Sequence, residues 1–355
     1  MGMTGYYGYD YEELKEAAEN FSDSRLIGKG SHGCVYKAFL KHGVTVAIKK
    51  PSLAFQKLAD NSNLENEARI LSSLPPCPYV VKLLGTSRDS AAENGVVLVM
   101  EHLPNGTLHD ALHAPSATPP AWLRRARIAI RVAKALRFLH GRSPPVVHRD
   151  VKSANILFDA SWDAKLADFG LAIGDVDDES LLSRPAGTIG YLDPCYTVPS
   201  NLSTKNDVFS FGVVLLEMIS CRKVIDVTRS PASIVEWASH LIRHGRPLDI
   251  CDKRVHVPWY MEHTIRQILG VASRCVSPEL ENRPSMEEIV TELENCILEP
   301  ARFPLWVNIL RTVTLLTRQR KMNSSRRKRG VHGDADISRG EKVLFRQILA
   351  DTTLE

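Results

Sequence analysis

A short string of polar residues, from Val147 to Asn155, offers groups that could act together on a phosphate. It contains a carboxylate, a lysine ammonium and an amide, and a second carboxylate follows in Asp168-Phe169-Gly170, thirteen residues after Asn155. Phosphoryl transfer needs a carboxylate that orients a hydroxyl, a cation on the moving phosphate and oxygen ligands for Mg²⁺. The string and its spacing to the second carboxylate therefore predict chemistry on a phosphate.

Each polar side chain of this set has a distinct expected role. We expect Asp150 to accept or orient the proton of a substrate hydroxyl, and Lys152 to neutralise charge on the transferred phosphate. Asn155 and Asp168 supply oxygen ligands of the kind that Mg²⁺ prefers. Any one of these residues alone is typical of a solvated loop, whereas the four at this spacing favour a joint catalytic role.

A glycine-rich loop lies upstream of the catalytic string. Its pattern is G-x-G-x-x-G-x-V, in which glycines let the backbone approach a phosphate closely and the valine could pack on an adenine ring. The loop lies between two predicted strands, and not between a strand and a helix, which disfavours a dinucleotide-binding fold. The predicted nucleotide-binding residues of the loop are Gly28, Lys29, Gly30, Ser31, His32, Gly33, Cys34 and Val35.

Lys49 ends an apolar strand and needs a partner for its ammonium unless it reaches back to solvent. The candidate partner is Glu67, which lies on the apolar face of a helix predicted over 63–74, because an acid that faces a core needs a cation. Glu65 is the rival, but it points to another side of that helix. A pair between Lys49 and Glu67 would hold the α- and β-phosphates of a nucleotide.

The elements that must position these residues change in type near Pro104, from strands to helices. The predicted strands lie between about 26 and 50 and over about 80–84 and 96–101, with a polar loop over 86–95. The predicted helices cover 11–18, 63–74, 122–140, 207–220, 262–276 and 285–298. Regular patterning is lost after Leu316, so we expect the last residues to be disordered.

The composition is that of an ordinary globular protein, with 44% hydrophobic and 24% charged residues, and 355 residues leave room for two lobes and a tail. No run of eighteen uncharged apolar residues predicts a membrane span, and no signal sequence is recognisable. Tyr6 stands where a myristoylation motif has serine or threonine, which disfavours lipidation. The seven scattered cysteines form no C-x-x-C pair, which excludes a zinc ribbon and predicts a reducing compartment.

The net charge of +4 is unevenly distributed. Residues 318–329 hold seven basic residues and no acid, which leaves a net charge of −3 for the rest of the chain. Such a bipartite cluster could serve as a nuclear import address or bind anionic lipids, and a plain solvated tail is the alternative. No nucleic-acid-binding module is recognisable, so no nucleic-acid partner is expected.

Motifs outside the catalytic string extend the pattern; they are Tyr11–Leu14, Asn20–Ser22, Gly187–Pro194 and Asp207–Glu217. Together with the glycine loop and the catalytic string, they resemble the eukaryotic protein kinase family over about 21–298. More narrowly, they resemble plant receptor-like kinases. Because no ectodomain and no span are recognised, the chain is similar to receptor-like cytoplasmic kinases, close to the crinkly-related kinase-like proteins.

This resemblance implies an α+β, bilobal protein kinase fold, with a small β-rich lobe over 21–103 and a larger, mainly helical lobe over 104–298. A flanking segment over 1–20 and a basic, disordered tail over 299–355 complete the predicted organisation. The resemblance implies a serine/threonine kinase that uses ATP and Mg²⁺ on protein substrates. The adenine-pocket residues that it implies are Ala47, Met100, Glu101, Leu103 and Leu157, which join Lys49, Glu67, Asn155 and Asp168 in the predicted cofactor site.

The resemblance also carries roles onto residues around the catalytic string. Lys152, with Thr188, resembles the serine/threonine-specific pattern, and Thr188 is expected to contact the catalytic string. Asp207 is expected to anchor the backbone of that string from its helix.

Regulation and location are implied in the same way. Arg149 resembles the arginine of kinases that are switched by phosphorylation, and Ser180 or Ser183 is the favoured acceptor. The implied partners are protein substrates and a membrane receptor kinase, with an anionic membrane or an import receptor as contacts of the 318–329 tail. The implied location is the cytoplasm, at the inner face of the plasma membrane, with the nucleus as the alternative.

One position departs from the family pattern. Where the family has a glutamate that pairs with a distant arginine, this chain has Cys195, so that Arg283 lacks its usual partner. Because breaking a buried pair on one side costs about 3–5 kcal/mol, either Arg283 is more exposed than usual or another acid pairs with it. Cys195 is also the one sequence feature that favours the alternative function, a pseudokinase scaffold that signals by binding.

Overall fold

Secondary structure changes character at Pro104, as the sequence predicts: strands dominate before it and helices after it. The computed structural model describes residues 7–30, 33–41, 43–51, 62–89, 95–116, 118–174, 185–196, 198 and 201–298. All of them lie within a unit that covers residues 1–300. The predicted α+β, bilobal fold is confirmed.

A six-stranded sheet forms the first lobe. Its strands are β1 (Tyr7–Gly8), β2 (Leu26–Gly30), β3 (Gly33–Phe39), β4 (Thr45–Lys50), β5 (Leu83–Asp89) and β6 (Gly95–Glu101). The strand order is β1-β5-β6-β4-β3-β2, and every neighbouring pair is antiparallel except β1 with β5. The register places Lys49 of the central strand β4 opposite Val35 on one side and Leu98 on the other.

Alternation along β4 decides which of its side chains can face the helical lobe. Successive side chains of a strand point to opposite faces of the sheet. Val46 and Ile48 pack into an apolar cluster on one face. Ala47 and Lys49 therefore point to the other face, where a charged group can meet partners from elsewhere in the chain.

A helix covers each face of this sheet. Helix α1 (Tyr11–Ala17) packs on the face of the apolar cluster, where Leu14 and the adjoining Ala18 are fully buried. Helix α2 (Ser62–Ser73) packs on the other side, and its buried residues include Leu71. Because α2 lies on the face to which Lys49 points, it can bring an acid to that lysine.

The second lobe is built around one buried helix, α5 (Thr204–Ser220). Every residue from 206 to 219 of this helix is buried, as expected for a helix that is packed on all sides. A small hairpin, made of β7 (Ile156–Phe158) and β8 (Ala164–Leu166), lies between the catalytic string and Asp168. The other helices are α3 (Leu108–His113), α4 (Trp122–His140), α6 (Ile234–Arg243), α7 (Glu262–Cys275) and α8 (Met286–Leu298).

The long predicted helices agree closely with the structure. The strand predicted over 80–84 begins three residues later than expected, and the described residues of the loop predicted over 86–95 belong to strands, whereas 90–94 lie outside the described residues. Strand β5 begins at Leu83 and continues to Asp89, because its backbone pairs with β6 through the polar stretch. The sequence pattern does not predict the helices α3 and α6. Among the described residues, no helix has the length and apolar character that a membrane crossing requires.

Candidate active site

Lys49 makes two ion pairs, of which the one with Asp168 connects the two lobes. Its Nζ lies 2.5 Å from Glu67 Oε2 and 2.8 Å from Asp168 Oδ1. Strand β4 supplies the lysine and helix α2 supplies the glutamate, whereas Asp168 comes two residues after β8. Lys49 and Glu67 are buried. The predicted pair is therefore present, and the rival Glu65 is exposed to solvent.

The two carboxylates keep the Lys49 ammonium charged. Burial of the amine would lower its pKa, but the charges and hydrogen bonds of Glu67 and Asp168 raise the pKa of Lys49 well above its ordinary value. The lysine is therefore a fixed cation at a site largely screened from water. Such a cation attracts a phosphate more strongly than an exposed lysine does.

Buried contacts hold the turn that carries Asp168. Asp168 has a φ of 65°, in the left-handed region, which aspartate tolerates better than most residues. Phe169 is fully buried, and its ring lies edge-on to that of His148 with the centroids 4.7 Å apart. Asn66 of α2, which the sequence pattern does not single out, donates from its amide to the carbonyl of Gly170 at 3.0 Å.

The catalytic string closes around the carboxylate of Asp150. Lys152 Nζ donates to Asp150 Oδ2 at 2.7 Å and to Thr188 Oγ1 at 2.9 Å, and Thr188 Oγ1 donates to Asp150 Oδ1 at 2.6 Å. Asn155 Nδ2 donates to the carbonyl and to Oδ2 of Asp150, both at 2.9 Å. The structure thus brings together the predicted carboxylate, cation and amide, and the predicted contact of Thr188 is confirmed.

Asn155 and Asp168 have the donor chemistry of a magnesium site. The amide nitrogen of Asn155 is directed at Asp150, so its carbonyl oxygen faces the other way and can act as a ligand. Mg²⁺ is usually bound by one or two side-chain oxygens together with substrate phosphates. The part of the chain that the structure describes holds no cluster of three or more His, Cys, Asp or Glu residues that could bind a metal by itself.

Asp207 anchors the backbone of the catalytic string from α5. Its Oδ2 accepts from the backbone N–H of His148 at 2.8 Å, and its Oδ1 accepts from that of Arg149 at 2.9 Å. His140 Nε2 also lies 2.8 Å from Oδ2. Burial opposes the charge, but the His140 and His148 groups lower the pKa of Asp207 below its ordinary value. The predicted anchoring contact is therefore present.

The glycine loop joins β2 to β3. Gly28, Lys29 and Gly30 end β2, and Gly33, Cys34 and Val35 begin β3. Gly33 has a φ of 140°, and a Cβ at this position would lie 2.4 Å from the carbonyl oxygen of Lys50, so only glycine fits. Ser31 and His32 lie outside the described residues.

The residues predicted to contact adenine lie on the strands next to Lys49 and on β7. Ala47 pairs with Met100 between β4 and β6, and both residues are buried. Glu101 ends β6, and Leu103 is buried just beyond it. Leu157 lies half-buried in β7. These positions are compatible with a pocket between the two lobes.

A buried network that the sequence pattern does not predict supports the catalytic string from behind. Glu217 of α5 accepts from Tyr191 Oη at 2.6 Å and from Ser153 Oγ at 2.9 Å, and His113 Nε2 lies 2.8 Å from it. Burial and the neighbouring Glu217 carboxylate raise the pKa of Tyr191. The network therefore ties the residue after Lys152 to α3, to α5 and to the segment that carries Thr188.

Arg283 and Asp193 form an ion pair in which neither side chain has exposed surface. Arg283 Nη1 lies 2.5 Å from Asp193 Oδ2, and Nη2 lies 3.0 Å from Oδ1. Of the two alternatives that the sequence leaves open, exposure of Arg283 is wrong and pairing with another acid is confirmed. Cys195 lies beside the pair, with its Sγ 3.6 Å from Arg283 Nη2.

Some predicted sites fall on residues that the structure does not describe. They are Ser31 and His32 of the glycine loop, the acceptor candidates Ser180 and Ser183, and the basic tail over 318–329. Their roles stay predictions. Arg149, which precedes Asp150, is described and is buried.

Comparison with known proteins agrees with this geometry. The protein kinase domain matches residues 21–293. A serine/threonine-protein kinase-like protein of Arabidopsis thaliana is 46% identical over 330 residues, which are 88% of this chain and 94% of that protein. A second such protein from the same plant is 44% identical over 289 residues, covering 79% of this chain and 77% of the relative. A probable LRR receptor-like serine/threonine-protein kinase, also from Arabidopsis thaliana, is 36% identical over 295 residues, covering 81% of this chain and 47% of that protein.

Proposed function

Because the chain belongs to the protein kinase family, among serine/threonine kinases of plants, we propose that it transfers the γ-phosphoryl group of ATP to serine and threonine hydroxyls of proteins. The observation that carries this proposal is the contact of Lys49 with both Glu67 and Asp168. In protein kinases the strand lysine must pair with the helix glutamate, and the metal-binding aspartate must be in place, before transfer can occur. Both contacts are made here at once.

We propose that the carboxylate of Asp150 orients the substrate hydroxyl that receives the phosphoryl group. Lys152, Asn155 and Thr188 each hydrogen-bond its carboxylate, which fixes the direction in which it can accept a proton. Lys152 donates to the same carboxylate, and from there its charge can neutralise negative charge on the group being transferred. Lys152 and Thr188 together support the assignment of serine and threonine as acceptors.

We assign the divalent metal, proposed to be Mg²⁺, to Asn155 and Asp168. When bound with ATP, the metal neutralises negative charge on the β- and γ-phosphates. Lys49 contributes a second, fixed positive charge, which its two carboxylate partners hold in position. The chain's own part is thus to fix charges and to orient one hydroxyl.

The direct test is phosphate incorporation. Purified protein is incubated with Mg-ATP and a generic protein substrate, and phosphosites are mapped by mass spectrometry beside the Asp150→Asn variant. We expect phosphoserine and phosphothreonine with the wild type, and a rate about 10²- to 10⁴-fold lower with the variant. A wild type that binds ATP but phosphorylates neither itself nor any substrate would support the alternative, a pseudokinase scaffold.

We also infer that the kinase phosphorylates itself and acts with a receptor kinase in the cytoplasm, at the inner face of the plasma membrane. A receptor-like kinase among its relatives supports this reading. Mapping of autophosphorylation sites in the Ser180→Ala and Ser183→Ala variants tests the first part, because loss of the dominant site would identify the acceptor.

The basic residues 318–329 give a separate test of location. If they contact a membrane, the intact protein binds vesicles that contain anionic lipid, binding falls with salt, and deletion of 318–329 abolishes it. If the intact protein does not bind such vesicles, residues 318–329 do not contact a membrane, and a nuclear import address or a plain solvated tail remains as the interpretation.

A further inference from the structure

The segment 187–196 carries Thr188 to Asp150 and must therefore be held in a fixed register. Thr188 makes its contacts at the start of the segment, with Oγ1 2.6 Å from Asp150 Oδ1. Ser210 Oγ of α5 donates to the carbonyl of Tyr191 at 2.7 Å in the middle. Asp193 makes buried contacts in the second half of the segment, and Cys195 accepts from Asn201 Nδ2 at 2.9 Å nearer its end.

The carboxylate of Asp193 accepts from several donors at once. Arg283 approaches it with two nitrogens, at 2.5 and 3.0 Å. The backbone N–H of Cys195 donates to Oδ1 at 2.9 Å, and Asn206 Nδ2 donates to Oδ2 at 2.8 Å. A carboxylate with so many partners has one position available to it, and it fixes the backbone that carries it.

The partners of Asp193 belong to the frame that also holds the catalytic string. Asn206 is in the first turn of α5, and the next residue, Asp207, accepts from the backbone of His148 and Arg149. Asp193 thus ties the segment to the same helix turn that anchors the string. A shift at Asp193 would change the spacing between Thr188 and Asp150.

The pairing partner of Arg283 depends on which residue stands at position 195. Cys195 Sγ lies 3.6 Å from Arg283 Nη2, so an acidic side chain at 195 could reach the guanidinium. Cysteine offers no carboxylate there. In the part of the chain that the structure describes, Asp193 is the one acid in ion-pair contact with Arg283.

We propose that Asp193 is a positioning residue for the kinase reaction, and that its pairing with Arg283 sets the register of 187–196 in place of an acid at position 195. This inference rests on the proposed function, because it concerns the binding of the protein substrate by that same site. In the proposed function nucleotide binding depends on Lys49, Glu67 and Asp168, whose ion pairs are with one another, whereas Arg283 is paired with Asp193. Loss of the pair should therefore affect the peptide and spare the nucleotide.

The test compares the wild type with Asp193→Asn, with Asp193→Asn/Cys195→Glu, and with Asp193→Asn/Cys195→Gln as the matched control. The glutamate and glutamine variants have side chains of the same size and differ in charge. Three quantities are measured: kcat and KM for a serine-containing peptide, the Kd for ADP, and hydrogen exchange of the amides in 187–196.

We expect Asp193→Asn to lower the peptide kcat/KM by about 10- to 100-fold, chiefly through KM, because a small displacement of positioned groups has that effect. The Kd for ADP should stay within about twofold, and exchange in 187–196 should become faster. Glutamate at 195 should recover the peptide kcat/KM and slow the exchange, whereas glutamine should do neither.

Three outcomes would overturn the proposal: an unchanged peptide kcat/KM in Asp193→Asn, equal effects of glutamate and glutamine, or an ADP Kd that rises in proportion as the peptide kcat/KM falls. If Asp193→Asn cannot be purified, the two double variants are compared directly, and recovery with glutamate alone supports the proposal. If the wild type proves inactive, the proposed function fails on that result, while hydrogen exchange still decides whether Asp193 holds the segment.

Discussion

Replacement of Asp207 by asparagine should weaken both the fold and catalysis, because this carboxylate is the common acceptor for the backbone of the catalytic string. It is 1% exposed and accepts from the N–H groups of His148 and Arg149 while His140 lies 2.8 Å away. Asparagine has the same shape but only one acceptor oxygen. Its amide nitrogen would face a backbone N–H donor in either orientation, that of His148 or that of Arg149.

The magnitude follows from the bonds that asparagine cannot make. One lost charge-assisted hydrogen bond costs about 1.5–3 kcal/mol, and a buried donor left without a partner costs about 1–3 kcal/mol more. The variant should therefore lose about 3–5 kcal/mol out of a typical 5–15 kcal/mol of stability. Because folding lowers the pKa of Asp207, its contribution is fully present at neutral pH and is lost only as the pH falls below about 4.

The assay is thermal and urea unfolding at pH 7, beside the control Asp249→Asn. Asp249 pairs with Arg246 at 2.6 Å on the surface, so its loss should cost less than about 0.5 kcal/mol. We expect Tm to fall by at least about 6 °C in Asp207→Asn. Phosphoryl transfer should fall more than about tenfold, which corresponds to about 1.4 kcal/mol at the transition state. A Tm within 1 °C of the control, with normal activity, would refute the reasoning.

Three further predictions concern the site and the helices. Lys49→Met should abolish phosphate incorporation, because it removes the cation that meets both carboxylates; a retained rate within about tenfold of wild type, in a radiometric assay, would contradict the assignment. Thr188→Val should lower the peptide kcat/KM by about tenfold without changing Tm, since the hydroxyl between Asp150 and Lys152 is lost; an unchanged kcat/KM would argue against that role. Gly212→Ala should destabilise the protein by about 1–3 kcal/mol, because a Cβ at this position would lie 2.6 Å from the Cβ of Cys275. In the control variant Gly270→Ala, also in a helix, the added Cβ meets nothing within 4 Å, so this variant should be more stable by about 0.5–1 kcal/mol. Urea unfolding that finds Gly212→Ala the more stable of the two would refute the packing argument.

The pairing of Lys49 with Glu67 could be predicted from the sequence because each residue breaks the apolar pattern of its own element. A lysine on a buried strand and an acid on the apolar face of a helix each need an opposite charge, and the structure brings them together. A charged residue at an apolar position of a strand or helix can therefore be recognised from the sequence as one that needs a partner of opposite charge. The contact of Asp207 with the catalytic string, in contrast, was expected only from the resemblance to protein kinases, and the structure shows it.

The partner of Arg283 could not be predicted in this way. Two positions, 193 and 195, lie near enough along the chain, and the path of the turn between them decides which one reaches the guanidinium. The network of Glu217, Tyr191 and Ser153 could not be predicted either, because these residues are far apart in sequence and come into contact only in the folded chain.

The bounds of strand β5 differ from the predicted ones because its second half is polar in sequence. Thr86, Ser87 and Arg88 read as a polar loop, but their backbone pairs with β6, and Ser87 is buried. Main-chain pairing with a neighbour that is already in place overrides the weak preference of the side chains. Element ends that depend on such pairing are decided by tertiary contacts.

Helix α1 matters to anyone who shortens this protein for crystallisation or inhibitor screening. The match to the kinase domain begins at residue 21, yet Leu14 and Ala18 are fully buried against Val46 and its neighbours in the sheet. A fragment that starts at residue 21 would leave this apolar face uncovered and prone to self-association. Recombinant fragments should therefore start before Tyr7, where β1 begins to pair with β5.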